Sequence, residues 1–230
     1  CIFVLTAQFN LLAKGNAQEE LSVVRKMWSQ EEKQYAMLKE NIDYINIKCH
    51  DLKHQLRQFG RQCSLDDKSI NEMMSKVSIY DSSLKTGNEA LDVLLMEKSL
   101  TCLNKGIKLT SMADGKAFSF MEDTEIYSLL GNALDNAIES LEKVEDPSKK
   151  VIGLIIRNVN SFASIHIYNY CQKKPLFKNG VPQTIKENKL DHGYGLKSMA
   201  LIAEKYGGKM TTSYQEETFN LDFLFPIPTK

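Results

Sequence analysis

The sequence lacks a surplus of charge of either sign: 29 Lys and Arg residues stand against 29 Asp and Glu, a formal net charge of zero over 230 residues. With no excess positive charge, nothing argues for a nucleic-acid partner, and no long run of one sign marks a charged tail. Cysteine is sparse and poorly spaced for cross-linking. Its five copies (Cys1, Cys49, Cys63, Cys102 and Cys171) are odd in number, and no pair has C-x-x-C spacing. That argues against a disulfide framework and a cysteine-rich zinc site, and fits reduced thiols in a cytosolic compartment. The opening apolar stretch, residues 1–9, is too short to span a bilayer. No basic residues precede it, as they would in a signal peptide. Two readings of it stay open: an ordinary helix start, or the end of a transmembrane helix.

What the sequence does have is a long three-four rhythm. Leu21, Val24, Trp28, Glu31, Tyr35, Leu38, Ile42, Ile45, Cys49, Leu52, Leu56 and Phe59 alternate in spacing, and only Glu31 breaks the apolar series. Such a repeat keeps one stripe facing a partner helix, so it reads as a coiled-coil seam roughly 58 Å long. Gly60 stops it, and Ser64 with Asp67 resembles a capping box. A second helical stretch is expected from about Asp66 to Leu103, marked by Ile70, Met73, Val77, Tyr80, Leu84, Leu91 and Leu94. Two long helices joined by a short turn make a hairpin, and a dimeric four-helix bundle closes its apolar surface.

After Gly106 the periodicity changes. Residues 107–112, 151–156 and 163–168 alternate as strands, with a turn over 158–161. Residues 124–144 and 196–206 read as helices, the latter ending at Gly207-Gly208, and 209–214 and 219–225 are two final strands. Residues 172–193, with Pro175, Gly180, Pro182 and several lysines, read as a long polar loop of the kind that serves as a lid. The order β-α-β-β-α-β-β makes an α+β domain, a mixed sheet with helices on one face. The expected organisation is an N-terminal segment over 1–20, a helical hairpin over 21–104 and a catalytic α/β domain over 105–230.

Three motifs carry chemistry. In Cys49-His50-Asp51-Leu52-Lys53-His54, His50 sits one residue off the seam, on the flank of the helix. An adjacent carboxylate such as Asp51 can hold one ring proton and raise the basicity of the other nitrogen. Taken alone the pair equally describes a surface histidine. His50 and His54 also share a helix face at the spacing of a zinc motif, but Asp replaces the usual Glu, and His166 and His192 lie far along the chain. In Leu129-Leu-Gly-Asn132-Ala-Leu-Asp135-Asn136, the asparagines lie one turn apart on one face, with Leu130, Leu134, Ala137 and Ile138 on the other. Asparagine is a poor helix former, and two carboxamides together can serve Mg²⁺ and phosphate oxygens. In Asp191-His192-Gly193-Tyr194-Gly195-Leu196, glycines before a helix leave its first N–H groups open to a phosphate, although ordinary turn chemistry is the commoner origin.

From about residue 40 to the C-terminus these motifs together resemble the GHKL sensor histidine kinases, in particular the AgrC-like branch of peptide quorum-sensing receptors. The His50 segment resembles the H-box. Thr86-Gly87-Asn88-Glu-Ala-Leu91-Asp92-Val-Leu-Leu95, with Lys98, resembles the second dimerisation helix of that branch. Asn132 to Asn136 resembles the N-box, and His192 to Leu196 the last glycine box of a Bergerat ATP-binding sandwich. The resemblance implies ATP and Mg²⁺ as cofactors, with His50 as phosphoacceptor and Asp51 as the acid that orients it. It implies Asn136 on Mg²⁺, Asn132 near the phosphates, and Gly193 and Gly195 beside the triphosphate. Lys186 and Lys189 fall in the lid, and His54 stands where related kinases hold a residue that removes phosphate from the partner. A departure is the absence of D-x-G-x-G after the central strand, where Asn169 stands as a neutral acceptor for the adenine amine. The implied assembly is a homodimer on the cytoplasmic side of the bacterial membrane, below a sensor segment of the same protein, handing phosphate to a response-regulator aspartate. The alternative is a catalytically weak or inactive nucleotide-binding partner of another kinase.

Overall fold

The computed structural model describes residues 8, 14, 18, 22–40, 51, 85–175, 177–178, 181–182 and 194–228. Helix α1 covers residues 22–40. Helix α2 (Glu89–Asn104) is followed by β1 (Lys108–Ala113), a 3-10 turn (Gly115–Phe118), α3 (Asp123–Glu142), β2 (Val151–Val159) and β3 (Phe162–Tyr170). Two short strands, β4 (Phe177–Lys178) and β5 (Val181–Pro182), precede α4 (Tyr194–Lys205), β6 (Lys209–Gln215) and β7 (Thr218–Pro226). Among the described residues no helix is long and apolar enough to cross a membrane.

Five strands form one sheet in the order β1-β2-β3-β7-β6. β1 runs parallel to β2, which needs the crossover through α3; the other pairs are antiparallel. The mixed sheet with helices on one face is therefore the architecture the alternation predicted. Its inner face is built in rows across the strands: Ile156 with Ile165 and Phe223, then Leu154 with Ile167 and Leu221. All six are buried, and α3 lays Leu129, Leu130, Leu134, Ala137 and Ile138 over them. The next row is Ile152, Asn169 and Phe219, so a carboxamide ends the inner row of β3. The outer face is more exposed and mixed in character, with Met112, Phe162 and Leu224 exposed on it, and His166 Nδ1 meets Asp222 Oδ1 at 2.7 Å across the β3–β7 pair. Glu216 and Glu217 join β6 to β7 at φ 47° and 57°, a two-residue turn whose twist matches that of the strands.

Three expectations need revision. Within the helical stretch expected over 66–103, residues 85–88 are not helical, and residues 66–84 lie outside the described residues. Gly87 takes φ 88°, a left-handed conformation suited to glycine, and Asn88 caps α2 by accepting from the Leu91 N–H at 2.9 Å. Asp92 Oδ1 accepts from both the Thr86 N–H (2.8 Å) and its hydroxyl (2.7 Å), so Thr86-Gly87-Asn88 is a helix start rather than a helix interior. Second, α2 belongs to the core of the sheet and α3: Ala90, Leu91, Leu94, Leu95 and Cys102 are buried in the same cluster. Third, the loop expected over 172–193 contains the β4–β5 pair.

The seam expected to face a partner helix is described only over residues 22–40, where it faces its own chain. Val24 and Tyr35 are buried, Trp28, Glu31 and Leu38 are half-buried, and Tyr35 joins the core cluster. Asp51 is helical and exposed, while His50 and His54 lie outside the described residues.

Candidate functional site

The polar face of α3 is fixed by the apolar stripe opposite it. With Leu130 and Leu134 driven onto the sheet, the 3.6-residue period turns Ser128, Asn132 and Asn136 away from the sheet on successive turns, Ser128 remaining buried. Asn136 is exposed and Asn132 half-buried. Asn132 Nδ2 donates to the Ser128 carbonyl at 2.9 Å, which fixes the carboxamide's orientation.

Helix α4 crosses this face with Gly195 against Asn132. A Cβ on residue 195 would stand 2.9 Å from Asn132 Oδ1, closer than real contacts allow, so glycine is what lets the start of α4 come this near. The glycine segment and the paired asparagines, 63 positions apart in sequence, thus meet in space. The other end of α4 is tied down too. Lys205 Nζ donates to both Glu125 oxygens at 2.8 Å, and the Tyr206 hydroxyl donates to Glu125 as well. Gly208 N–H closes the helix on the Ala203 carbonyl at 2.7 Å. Gly193, Lys186 and Lys189 lie outside the described residues.

Asn169 is 3% exposed, on the inner face of β3, and its Nδ2 donates to the Tyr170 carbonyl at 2.8 Å. A buried carboxamide in an otherwise apolar row stands out on physical grounds, because burying an amide is unfavourable unless its hydrogen bonds are met.

Sequence reasoning passed over an ion pair beside the asparagines, formed by a buried lysine with an exposed aspartate. Lys98, from α2, reaches Asp135 at 2.8 and 3.0 Å and Glu97 at 3.1 Å. Burial pulls the Lys98 ammonium toward its neutral form, but the Asp135 and Glu97 carboxylates outweigh it and hold its pKa above lysine's ordinary value. The Tyr127 hydroxyl donates to Glu97 at 2.7 Å, and burial, then that carboxylate, pushes its pKa upward. A cleft runs along α3, lined among others by Glu31, Lys98, Tyr127, Ser128, Asn132 and Asp135. Ser128 was legible in principle, since it stands one turn before the asparagine pair. The contributions of Lys98 and Glu31 were not, because both come from other helices.

The donor set suits a nucleotide. Two carboxamides offer neutral oxygens and N–H groups, and the first turn of a helix is brought up to them at van der Waals range. Among the described residues no cluster of three or more His, Cys, Asp and Glu side chains is arranged to hold a metal ion.

No curated protein matches the chain. Among solved structures, the catalytic domain of the histidine kinase ThkA, in a nucleotide-free form, is 18% identical with a TM-score of 0.46, over 62% of this chain and 94% of that one. The Acinetobacter baumannii histidine kinase AdeS is 13% identical with a TM-score of 0.42, over 79% and 96%. The histidine kinase domain of the blue-light activated kinase EL346 from Erythrobacter litoralis is 13% identical with a TM-score of 0.44, over 85% and 94%. Residues 121–226 match the family model described as a GHKL domain, and this GHKL-matching part of the chain contains Asn132, Asn136, Asn169, Gly193 and Gly195.

Proposed function

We propose that the chain is the catalytic portion of a sensor histidine kinase of the AgrC-like branch, which binds ATP on the asparagine face of α3 and transfers the γ-phosphoryl group to His50. The observation that carries this reading is the approach of Gly195 to Asn132 within the GHKL-matching part of the chain. It joins the two segments that must flank a triphosphate.

Asn136, exposed one turn beyond Asn132, is the residue assigned to Mg²⁺, with Asn132, Gly193 and Gly195 assigned to the phosphates and Lys186 to the lid. Asn136 would hold the cation, which would supply charge neutralisation at the triphosphate. Asn169, buried at the end of its row, is assigned to the adenine amine in place of the acid that most relatives carry. Transfer forms a bond from phosphorus to the unprotonated imidazole nitrogen of His50 and breaks the bond to the ADP oxygen. Asp51 accepts the remaining ring N–H and stabilises the positive charge that develops on the ring. The protein's share of the catalysis is positioning and electrostatics. The reading extends to a homodimer held through helices that precede α2, a place at the cytoplasmic face of the bacterial membrane, and a response-regulator aspartate as final acceptor.

Calorimetric titration with a non-hydrolysable ATP analogue tests the site. Binding is expected to require Mg²⁺ and to weaken about tenfold in Asn136→Ala, the loss expected when one group supporting a metal is removed. Magnesium-independent binding, or none, would contradict the assignment.

A further inference from the structure

The seam of α1 carries one charged residue, Glu31, and the structure shows where that charge goes. Glu31 Oε1 accepts from Asn132 Nδ2 at 2.9 Å, and Glu31 Oε2 accepts from the Ser128 hydroxyl. One turn before it, Trp28 Nε1 donates to the Ser198 hydroxyl of α4 at 2.7 Å. One turn after it, Tyr35 packs on Tyr127 with ring centroids 5.2 Å apart. Lys39 then pairs with Glu89 at the start of α2 at 2.8 Å. The apolar members of the stripe dock α1 on the catalytic unit. The single acidic member lands on two donors of the polar face of α3, Ser128 and Asn132.

We propose that α1 is an internal competitor of the nucleotide: the Glu31 carboxylate stands in for phosphate oxygens on Ser128 and Asn132, so α1 and ATP cannot hold this face together. The inference rests on the nucleotide-binding reading of that face. Its physical basis is twofold. A carboxylate accepting from both donors uses the hydrogen-bonding capacity a phosphate would need. Its charge also repels an incoming polyanion.

The contact is also suited to regulation. The stripe that docks on α3 and α4 is the one whose three-four spacing fits a partner helix, and one face cannot pack against both. Pairing of α1 with a second copy of the chain therefore frees the nucleotide site, and docking of α1 closes it. This accounts for an acid in an otherwise apolar seam. A glutamate is unfavourable in a coiled-coil interior, so the residue weakens the paired state while it completes the docked one.

Trp28 is the sole tryptophan of the chain, so its emission reports α1 directly. The test uses the full chain, a non-hydrolysable ATP analogue and Mg²⁺. In the wild type, saturating analogue is expected to shift the Trp28 emission to the red and to increase its quenching by acrylamide. In Glu31→Ala the shift is expected before any analogue is added, and the analogue binds roughly tenfold more tightly, as for a face closed about nine-tenths of the time in the wild type. If the analogue binds both chains equally and leaves the Trp28 emission unmoved, the competition is overturned while the nucleotide site stands. If it binds neither chain, the nucleotide reading fails and takes the inference with it.

Discussion

Replacing Leu94 by alanine is expected to lower the melting temperature by about 10 °C, from roughly 3 kcal/mol of lost packing spread over a chain of this size. Leu94 has no exposed surface and sits in the middle of α2. It faces Gly131 of α3, where an added Cβ would stand 3.7 Å from Leu94 Cδ1, so the two helices are already in close contact. Truncation leaves a cavity between α2 and α3 that neither helix can fill without moving off the sheet. The measurement is thermal melting by circular dichroism, with Leu103→Ala as the control. Leu103 lies on the same helix, but is 63% exposed and should melt like the wild type. The drop should be the same at every protein concentration, because α2 packs within its own chain. A drop that appears only at low concentration would mean that Leu94 serves a subunit interface instead.

Gly195→Ala is expected to weaken binding of the ATP analogue roughly thirtyfold, equivalent to about 2 kcal/mol of overpacking, with little change in melting temperature. The new methyl group would meet Asn132 Oδ1 at 2.9 Å. Asn132 cannot swing away freely, because its Nδ2 is committed to the Ser128 carbonyl. Either the carboxamide leaves its hydrogen bond or the first turn of α4 lifts from α3, and both disturb the face assigned to the phosphates. The fold has room to absorb the change, since Gly195 is half-buried at the start of a helix and not in the core. Titration calorimetry and a melting curve on the same sample separate the two effects. An unchanged affinity would show that α4 does not border the nucleotide.

The sheet and α3 were legible because their signals are local. Alternation over 151–168 fixes which side chains face inward, and the turn between the strands falls at Asn160 and Ser161, within the expected span. The apolar stripe of α3 orients Asn132 and Asn136 without reference to anything else. The start of α2 was missed because apolar residues continue at helical spacing through Tyr80, Leu84 and Leu91, and that spacing hid the cap. What defines the break is a set of contacts: Asp92 on Thr86, and the Gly115 N–H on the Thr86 carbonyl at 2.9 Å. Only the first of these is local enough to be read from sequence. Glu31 was visible as the one break in the seam, but its partners lie 97 and 101 residues away. Periodicity tells which face of a helix is covered, not what covers it. Asn169 was read through a family resemblance; the structure adds that it is buried in an apolar row.

The measurement that tests the account most directly is incubation of the full chain with Mg²⁺ and γ-labelled ATP, comparing the wild type with His50→Gln and Asn136→Ala. The account predicts acid-labile, base-stable label on the wild type, none on His50→Gln and strongly reduced label on Asn136→Ala. Undiminished label on His50→Gln would contradict the assigned acceptor, and a wild type that binds ATP but takes no label would contradict the kinase reading.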